Sequence, residues 1–165
     1  MSSLKNLRDI LAQSAKGRTV IVCIGNTLKG DDGAAIVLYN KLAGKIIAEL
    51  IDAGTVPESY IQRIVAKAPD NILLADAVDF GGSAGAICLF GIQEIPAVAC
   101  STHVMSLRFF IDAIERETQA NIHLLGIQPQ QVALGMELSD SVGQAVASLA
   151  ELFIELFGPD KTATR

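Results

Sequence analysis

The run Thr19-Val20-Ile21-Val22-Cys23-Ile24-Gly25 constrains the fold more than any other stretch of the chain. It is apolar and β-branched with no alternation, so as a strand it has no polar face to give to water. Such a strand belongs in the interior of a sheet covered on both sides, which means parallel strands joined by helices. The run breaks at Gly25-Asn26, passes through Thr27-Leu28-Lys29-Gly30, and reaches two adjacent carboxylates, Asp31 and Asp32. Directly behind Gly33 a helical stripe begins at Ala34, Val37, Leu38 and Leu42, with Gly44 placed to end it. A buried strand that delivers two acids to the mouth of a helix poses one question for the remaining chain: what else reaches that mouth.

The same alternation recurs downstream. Ile46–Ile51 reads as a second strand, ending in Asp52-Ala53-Gly54-Thr55, and Pro57 suits the first turn of a helix with Ile61, Ile64, Val65 and Ala68 inward. Asn71–Val78 is a third strand, again closing on acids, Asp76 and Asp79. Phe80-Gly81-Gly82-Ser83-Ala84-Gly85 then turns the chain into a short strand at Ala86–Phe90. That turn is too short for a helical crossover, so this fourth strand is expected antiparallel at a sheet edge. A loop through Pro96 leads to Ser101-Thr102-His103 and a helix bearing Leu107, Phe110, Ile111 and Ile114. Ile122–Ile127 is the last strand, and the final helix turns Val142, Val146, Leu149 and Phe153 inward before Gly158-Pro159. Ahead of it all, Leu4, Leu7, Ile10 and Leu11 mark a short accessory helix.

The expected fold class is therefore α/β: a three-layer α/β/α sandwich around a mostly parallel five-stranded sheet with one antiparallel edge strand. One domain is expected over residues 1–165, with 1–18 as an N-terminal extension, 19–158 as the core and 159–165 as a flexible tail. At this length folding buries roughly 70% of the unfolded chain's surface, so no staple is needed.

Composition removes several function classes. The net charge is -5 with no basic run, Trp is absent, and aromatics make up only 5%. Nucleic acid and anionic membrane surfaces are therefore not expected as partners. The N-terminus, with Lys5, Arg8 and Asp9, does not read as a signal peptide, and no run of about 18 apolar residues suggests a membrane span. The three cysteines, Cys23, Cys88 and Cys100, are odd in number and far apart, and read as reduced core residues of a cytoplasmic protein.

In open α/β sheets the ligand crevice lies beyond the carboxyl ends of the strands. Asp31, Asp32, Asp52, Asp76 and Asp79 all fall at that edge, and His103 sits on a loop that opens on it. Two or more carboxylates with an imidazole form an oxygen and nitrogen site suited to a divalent metal such as nickel, zinc or manganese, and able to polarise water. Each residue also has a plain structural role open to it. Asp31 or Asp32 suits a helix cap, Asp76 suits bonds to loop amides, and His103 suits a loop or cap hydrogen bond. His123, inside the last strand, reads as a core or sheet-face histidine. Nucleotide motifs fail: Gly25–Gly30 is not G-x-G-x-x-G, two carboxylates would repel a pyrophosphate, and no G-K-[ST] follows. H-E-x-x-H and G-x-S-x-G are absent, and Cys100 near His103 has no orienting partner for a thiol dyad.

Five blocks together resemble the hydrogenase maturation endopeptidases. They are Gly25-Asn26-Thr27-Leu28-Lys29-Gly30-Asp31-Asp32-Gly33, Asp52-Ala53-Gly54-Thr55 with Pro57, Leu74-Ala75-Asp76-Ala77, Ser101-Thr102-His103 with Ser106-Leu107, and Gly126-Ile127-Gln128-Pro129 with Leu138-Ser139. They stand in the family's order across residues 19–155, and the version here is most similar to the hydrogenase-3 type. Ala35 replaces a common glycine and Ala84-Gly85 a common proline-glycine. Neither touches the site.

The resemblance implies a protease that trims a C-terminal extension from the nickel-loaded large-subunit precursor of a [NiFe] hydrogenase. By motif position Asp32, Asp76 and His103 sense the nickel, which belongs to the substrate complex, so that the free enzyme can purify without it. A carboxylate, Asp32 or Asp76, or the metal then activates water. Asp31 is expected to cap the helix while Asp32 points out. Gly81 and Gly82 are candidates for holding the substrate peptide. The enzyme is expected to act as a monomer. Two other readings fit some of the same residues: a checkpoint that binds the precursor without cutting it, and a nucleotide-binding α/β enzyme.

Overall fold

The computed structural model describes residues 4–95 and 104–160. Five strands form one sheet: β1 (Thr19–Ile24), β2 (Glu49–Gly54), β3 (Asn71–Ala77), β4 (Ile87–Gly91) and β5 (Asn121–Ile127). Their order is β2-β1-β3-β5-β4. All neighbours are parallel except β4, which runs antiparallel to β5 at the edge, with Cys88 opposite Gly126. The short glycine-rich turn thus has the consequence expected of it.

Helices α1 (Leu4–Ser14), α2 (Ala34–Leu42) and α5 (Asp140–Phe157) cover one face, and α3 (Ile61–Ala66) and α4 (Val104–Glu117) the other. The strands' two-residue period divides the core between them. Ile21, Cys23, Leu73, Leu125 and Ile127 pack with Leu38, Leu42, Val146, Leu149 and Phe153. Val20, Val22, Ile72, Leu74 and Leu124 pack with Ile64, Phe110, Ile111 and Ile114 on the opposite side. Every residue of β1 is buried, as a strand without a polar face must be. The N-terminal helix is tied into the first of these cores by Leu7 and Leu11, which are both buried.

β2 begins further along the chain than the apolar run Ile46–Ile51 suggests. Ile47 stays outside the sheet, 77% exposed, and its N–H donates to the Phe157 carbonyl at the end of α5. As an edge strand β2 tolerates polar residues, so its limits are not marked by continuous hydrophobicity. Asp52 accordingly lies within the strand, paired in register with Cys23, and not at its end.

Candidate active site

The loop between β1 and α2 folds back on the strand it leaves. At Gly25 the backbone takes φ 155°, and a Cβ there would stand 2.1 Å from the Asp32 carbonyl oxygen. Only glycine lets the loop close so tightly. Asn26 N–H donates to the Asp32 carbonyl at 3.1 Å and to its Oδ2 at 3.2 Å, and Leu28 N–H donates to Asn26 Oδ1 at 2.9 Å. Gly30–Gly33 then forms a 3₁₀ turn carrying both acids. Such a turn has about three residues per revolution, so consecutive side chains leave it in divergent directions.

Asp31 points inward and is fully buried. It does not cap α2, contrary to the sequence reading: among the described residues no side chain caps that helix. Its Oδ2 instead accepts Gln130 N–H at 2.8 Å, Gln131 N–H at 3.0 Å and the Ser139 hydroxyl at 2.9 Å, while Oδ1 accepts Ser139 N–H at 2.7 Å. Ser139 is the N-cap residue of α5. Asp31 therefore serves the far helix, where a negative charge also meets a favourable dipole. Burial alone would raise its pKa, but the amides of Ser139, Gln130 and Gln131 and the Ser139 hydroxyl outweigh it and hold the carboxyl below its ordinary value.

Asp32 points to the opening. With Asp76, Ile24, Gly25 and Thr55 it lines a crevice of about 10 Å³, room for about one water or ion. The crevice lies beyond the carboxyl ends of β1 and β3, where an open sheet takes its ligands. Asp76, last but one in β3, is buried. Burial first, and then the charge of Asp32, raise its pKa well above the ordinary carboxylate value, with the Ala77 amide opposing in part. Two carboxylates brought together in a dry recess favour either a shared proton or a cation. Larger clefts lie elsewhere. One of about 330 Å³ sits at the opposite edge between Arg18, Ile47, Glu49 and Lys67, where Lys67 and Glu49 pair at 3.3 Å. It lies at the strands' amino ends, and a second, of about 470 Å³, is lined by Glu151, Glu155 and Asp160 at the end of α5; neither opens beyond the carboxyl ends of β1 and β3, which makes the small crevice the candidate site.

The other candidates separate. Asp52 is exposed and accepts Gly54 N–H at 3.0 Å, a turn-forming role. Asp79 is exposed too, and bonds from the Gln128 side chain and the Gly81 amide lower its pKa. Gly81 and Gly82 lie in the turn beyond Asp79, and Gly82 N–H is already spent on Gln128 Oε1 at 3.0 Å. His103 and Cys100 lie outside the described residues. Among the described residues no group of three His, Cys, Asp or Glu side chains stands ready to hold a metal. His123 is half-buried in β5, its Nδ1 lacks a hydrogen-bond partner among the described residues, and burial lowers its pKa against the pull of Glu94. Cys23 and Cys88 are free and buried, and burial followed by the charge of Asp52 drives the Cys23 thiol upward, so it is no nucleophile.

Two positioning residues were assigned no role from sequence. Gln128, buried just past β5, accepts Phe80 N–H at 2.9 Å and Gly82 N–H at 3.0 Å through Oε1, and donates from Nε2 to Asp79 at 3.0 Å. It fixes the turn that follows Asp76. Ser139 does the equivalent for Asp31. Neither carries a local signal, because each partner is distant in the chain.

Residues 37–156 match the family model for hydrogenase maturation proteases of the HycI type. The chain belongs to that family. The match takes in Asp76, Gly81, Gly82 and His103, and begins after Asp32. The hydrogenase 3 maturation protease of Escherichia coli K12 is 32% identical over 133 residues, which is 79% of this chain and 85% of that protein. The crystal structure of a [NiFe] hydrogenase maturation protease HycI from Thermococcus kodakarensis superposes with a TM-score of 0.80 at 32% identity, covering 91% of this chain and 97% of that one. The solution structure of an endopeptidase HycI from Escherichia coli gives 0.72 at 29% identity, covering 81% and 87%. This maturation protease thus has a peptidase's fold and family. Among its described residues no helix is long and apolar enough to cross a membrane.

Proposed function

We propose that this protease removes a C-terminal peptide from the nickel-loaded large-subunit precursor of a [NiFe] hydrogenase, and that Asp32, Asp76 and His103 read the nickel. The observation that carries this is the meeting of Asp32 and Asp76 in one crevice sized for a single ion or water. Their chemistry fits a borderline divalent cation, and an imidazole would complete the donor set. The nickel arrives with the substrate and need not stay with the enzyme.

In the free protease Asp76 holds its proton more firmly than an ordinary carboxyl, because it is buried beside the charge of Asp32. A cation entering the crevice offsets that penalty and favours the ionised form of Asp76. Nickel in the precursor thus meets donors that gain from its charge, whereas nickel-free precursor meets only a desolvated acid pair. Docking of the metal places the tail against the crevice. Water, activated by Asp32, Asp76 or the metal, adds to the scissile carbonyl, and the peptide nitrogen leaves with a proton. No side chain of the crevice serves as a covalent nucleophile in this scheme.

The test is to incubate the purified protease with nickel-loaded and nickel-free precursor and read the precursor's mass. Loss of a C-terminal fragment from the nickel-loaded form alone is expected, with Asp76→Ala and His103→Ala abolishing it. Wild-type rates in those variants would refute the site. Precursor that binds but keeps its mass would mark a checkpoint that does not cut.

A further inference from the structure

We infer that Leu28, Val132, Leu134 and Met136 form the docking face on which the folded body of the precursor sits while its tail enters the crevice. This rests on the function proposed above. The crevice itself has room for about one water, so it cannot supply the contact a protein substrate needs. A stable protein pair buries roughly 800 Å² on each side. Recognition must therefore come from the surface around the opening.

That surface is unusual. Among the described residues the exposed large apolar side chains are Leu28, Ile47, Val56, Phe109, Val132, Leu134 and Met136, and four of these seven ride on two adjoining loops. Leu28 is 67% exposed, Val132 53%, Leu134 74% and Met136 41%. Singly exposed apolar residues need no explanation, but a cluster does. The segment 130–137 also gives no side chain to either core, so its apolar character does not serve folding.

The two loops are stitched into one platform. Gly135 N–H donates to the Leu28 carbonyl at 2.8 Å, Gly30 N–H to Met136 at 3.0 Å, and Asp31 N–H to Gln131 at 2.8 Å. The Asp31 carboxylate fastens the same loop at Gln130, Gln131 and Ser139. A platform fixed in advance loses little entropy when a partner binds. It also adjoins the chemistry, since Leu28 shares its loop with Asp32, and Val56, 46% exposed, follows Thr55 of the crevice wall. The occupant must therefore be the molecule that enters the crevice. A second copy of this chain seated here would cover the opening and shut the substrate out.

The experiment measures binding of purified nickel-loaded precursor by interferometry and its processing by mass. The variants are Val132→Ser with Leu134→Ser, Leu134→Asp, and Ile47→Ser as a control at the opposite edge. The expected result is a KM at least ten-fold higher for the first two, with kcat within two-fold of wild type, and no change for Ile47→Ser. If the double variant melts earlier than wild type, Leu134→Ala carries the test, with an expected three-fold rise. Wild-type KM in the patch variants overturns the docking face while leaving the proposed activity intact. Failure of the wild type to bind the precursor overturns that activity and the docking face with it, whereas binding without cutting overturns the activity alone, and the docking face is then judged by the Kd of the patch variants. A concentration-dependent dimer in sedimentation, dissolved by the patch substitutions, would assign the surface to a second copy and overturn the proposal.

Discussion

Asp31→Asn is the sharpest test of how the two loops are held. The substitution preserves size and keeps one acceptor oxygen. That oxygen can still serve Gln130 N–H, Gln131 N–H and the Ser139 hydroxyl, but the new amide then faces Ser139 N–H, which now bonds Oδ1 at 2.7 Å. Two donors meet in a fully buried position. Losing one charge-assisted bond costs about 1.5–3 kcal/mol, and the stranded N–H about 1–3 kcal/mol more. Burying a neutral amide instead of a carboxylate returns about 1–2 kcal/mol. The net expectation is a loss of about 0.5–5 kcal/mol, centred on about 3 kcal/mol. At this chain length each kcal/mol moves the melting temperature by about 2–4 °C, so the central value gives a drop on the order of 5–15 °C at pH 7. Circular dichroism melts measure it. The pH dependence supplies a second check. Asp31 is depressed in the folded state, so its contribution is present above its unfolded value and fades as pH falls through the folded one. The wild-type and Asn melting curves should therefore converge only below about pH 4. A variant that melts within about 2 °C of wild type at pH 7 would refute the clamp.

Three further outcomes follow from the same geometry. Asp76 is raised by burial and by Asp32, so the folded state binds its proton more tightly and stability declines as pH rises from about 4 through the folded pKa. In chelator-treated protein Asp76→Asn should melt above wild type at pH 7, by a margin that closes in acid, while losing processing; a lower melting point at pH 7 would contradict the assignment. Gly25→Ala should cost at least about 2 kcal/mol in urea unfolding, because its Cβ falls 2.1 Å from the Asp32 carbonyl. An unshifted midpoint would show that the loop yields. Gln128→Ala removes the acceptor for Phe80 N–H and Gly82 N–H, and should cost about 2 kcal/mol and speed hydrogen exchange at those two amides. Unchanged exchange there would mean that the turn is fixed by something else.

The parts of this fold legible in the sequence are those that physics writes locally. The unbroken apolar run of β1 could only be an interior strand, and the brevity of Phe80–Gly85 forced β4 to the edge in antiparallel pairing. Edge strand β2 was misplaced because a half-exposed strand lacks a continuous apolar run, and Ile46-Ile47 imitates one. The crevice acids were legible by position, since the ends of β1 and β3 had to open on one edge. Asp52 was not separated from them, because the register that turns it to solvent is a property of the sheet and not of its own segment.

The adjacent acids show where local reading stops. Both sit in the first turn before a helix, and by propensity either suits a cap. The 3₁₀ turn aims them apart, and each fate is then settled by what lies along its direction. Asp31 meets three amides and a hydroxyl supplied by residues 130–139, and becomes a structural anion. Asp32 meets Asp76, and the pair is left facing a recess with the backbone amides of Asn26 and Ala77 offsetting part of its charge. The consequence joins folding to recognition. The anion that secures the 130–139 loop also fixes the platform beside the crevice and the direction in which its neighbour points. A change at Asp31 should thus disturb substrate contact through geometry, and a change at Asp32 through charge, although one peptide bond separates the two residues.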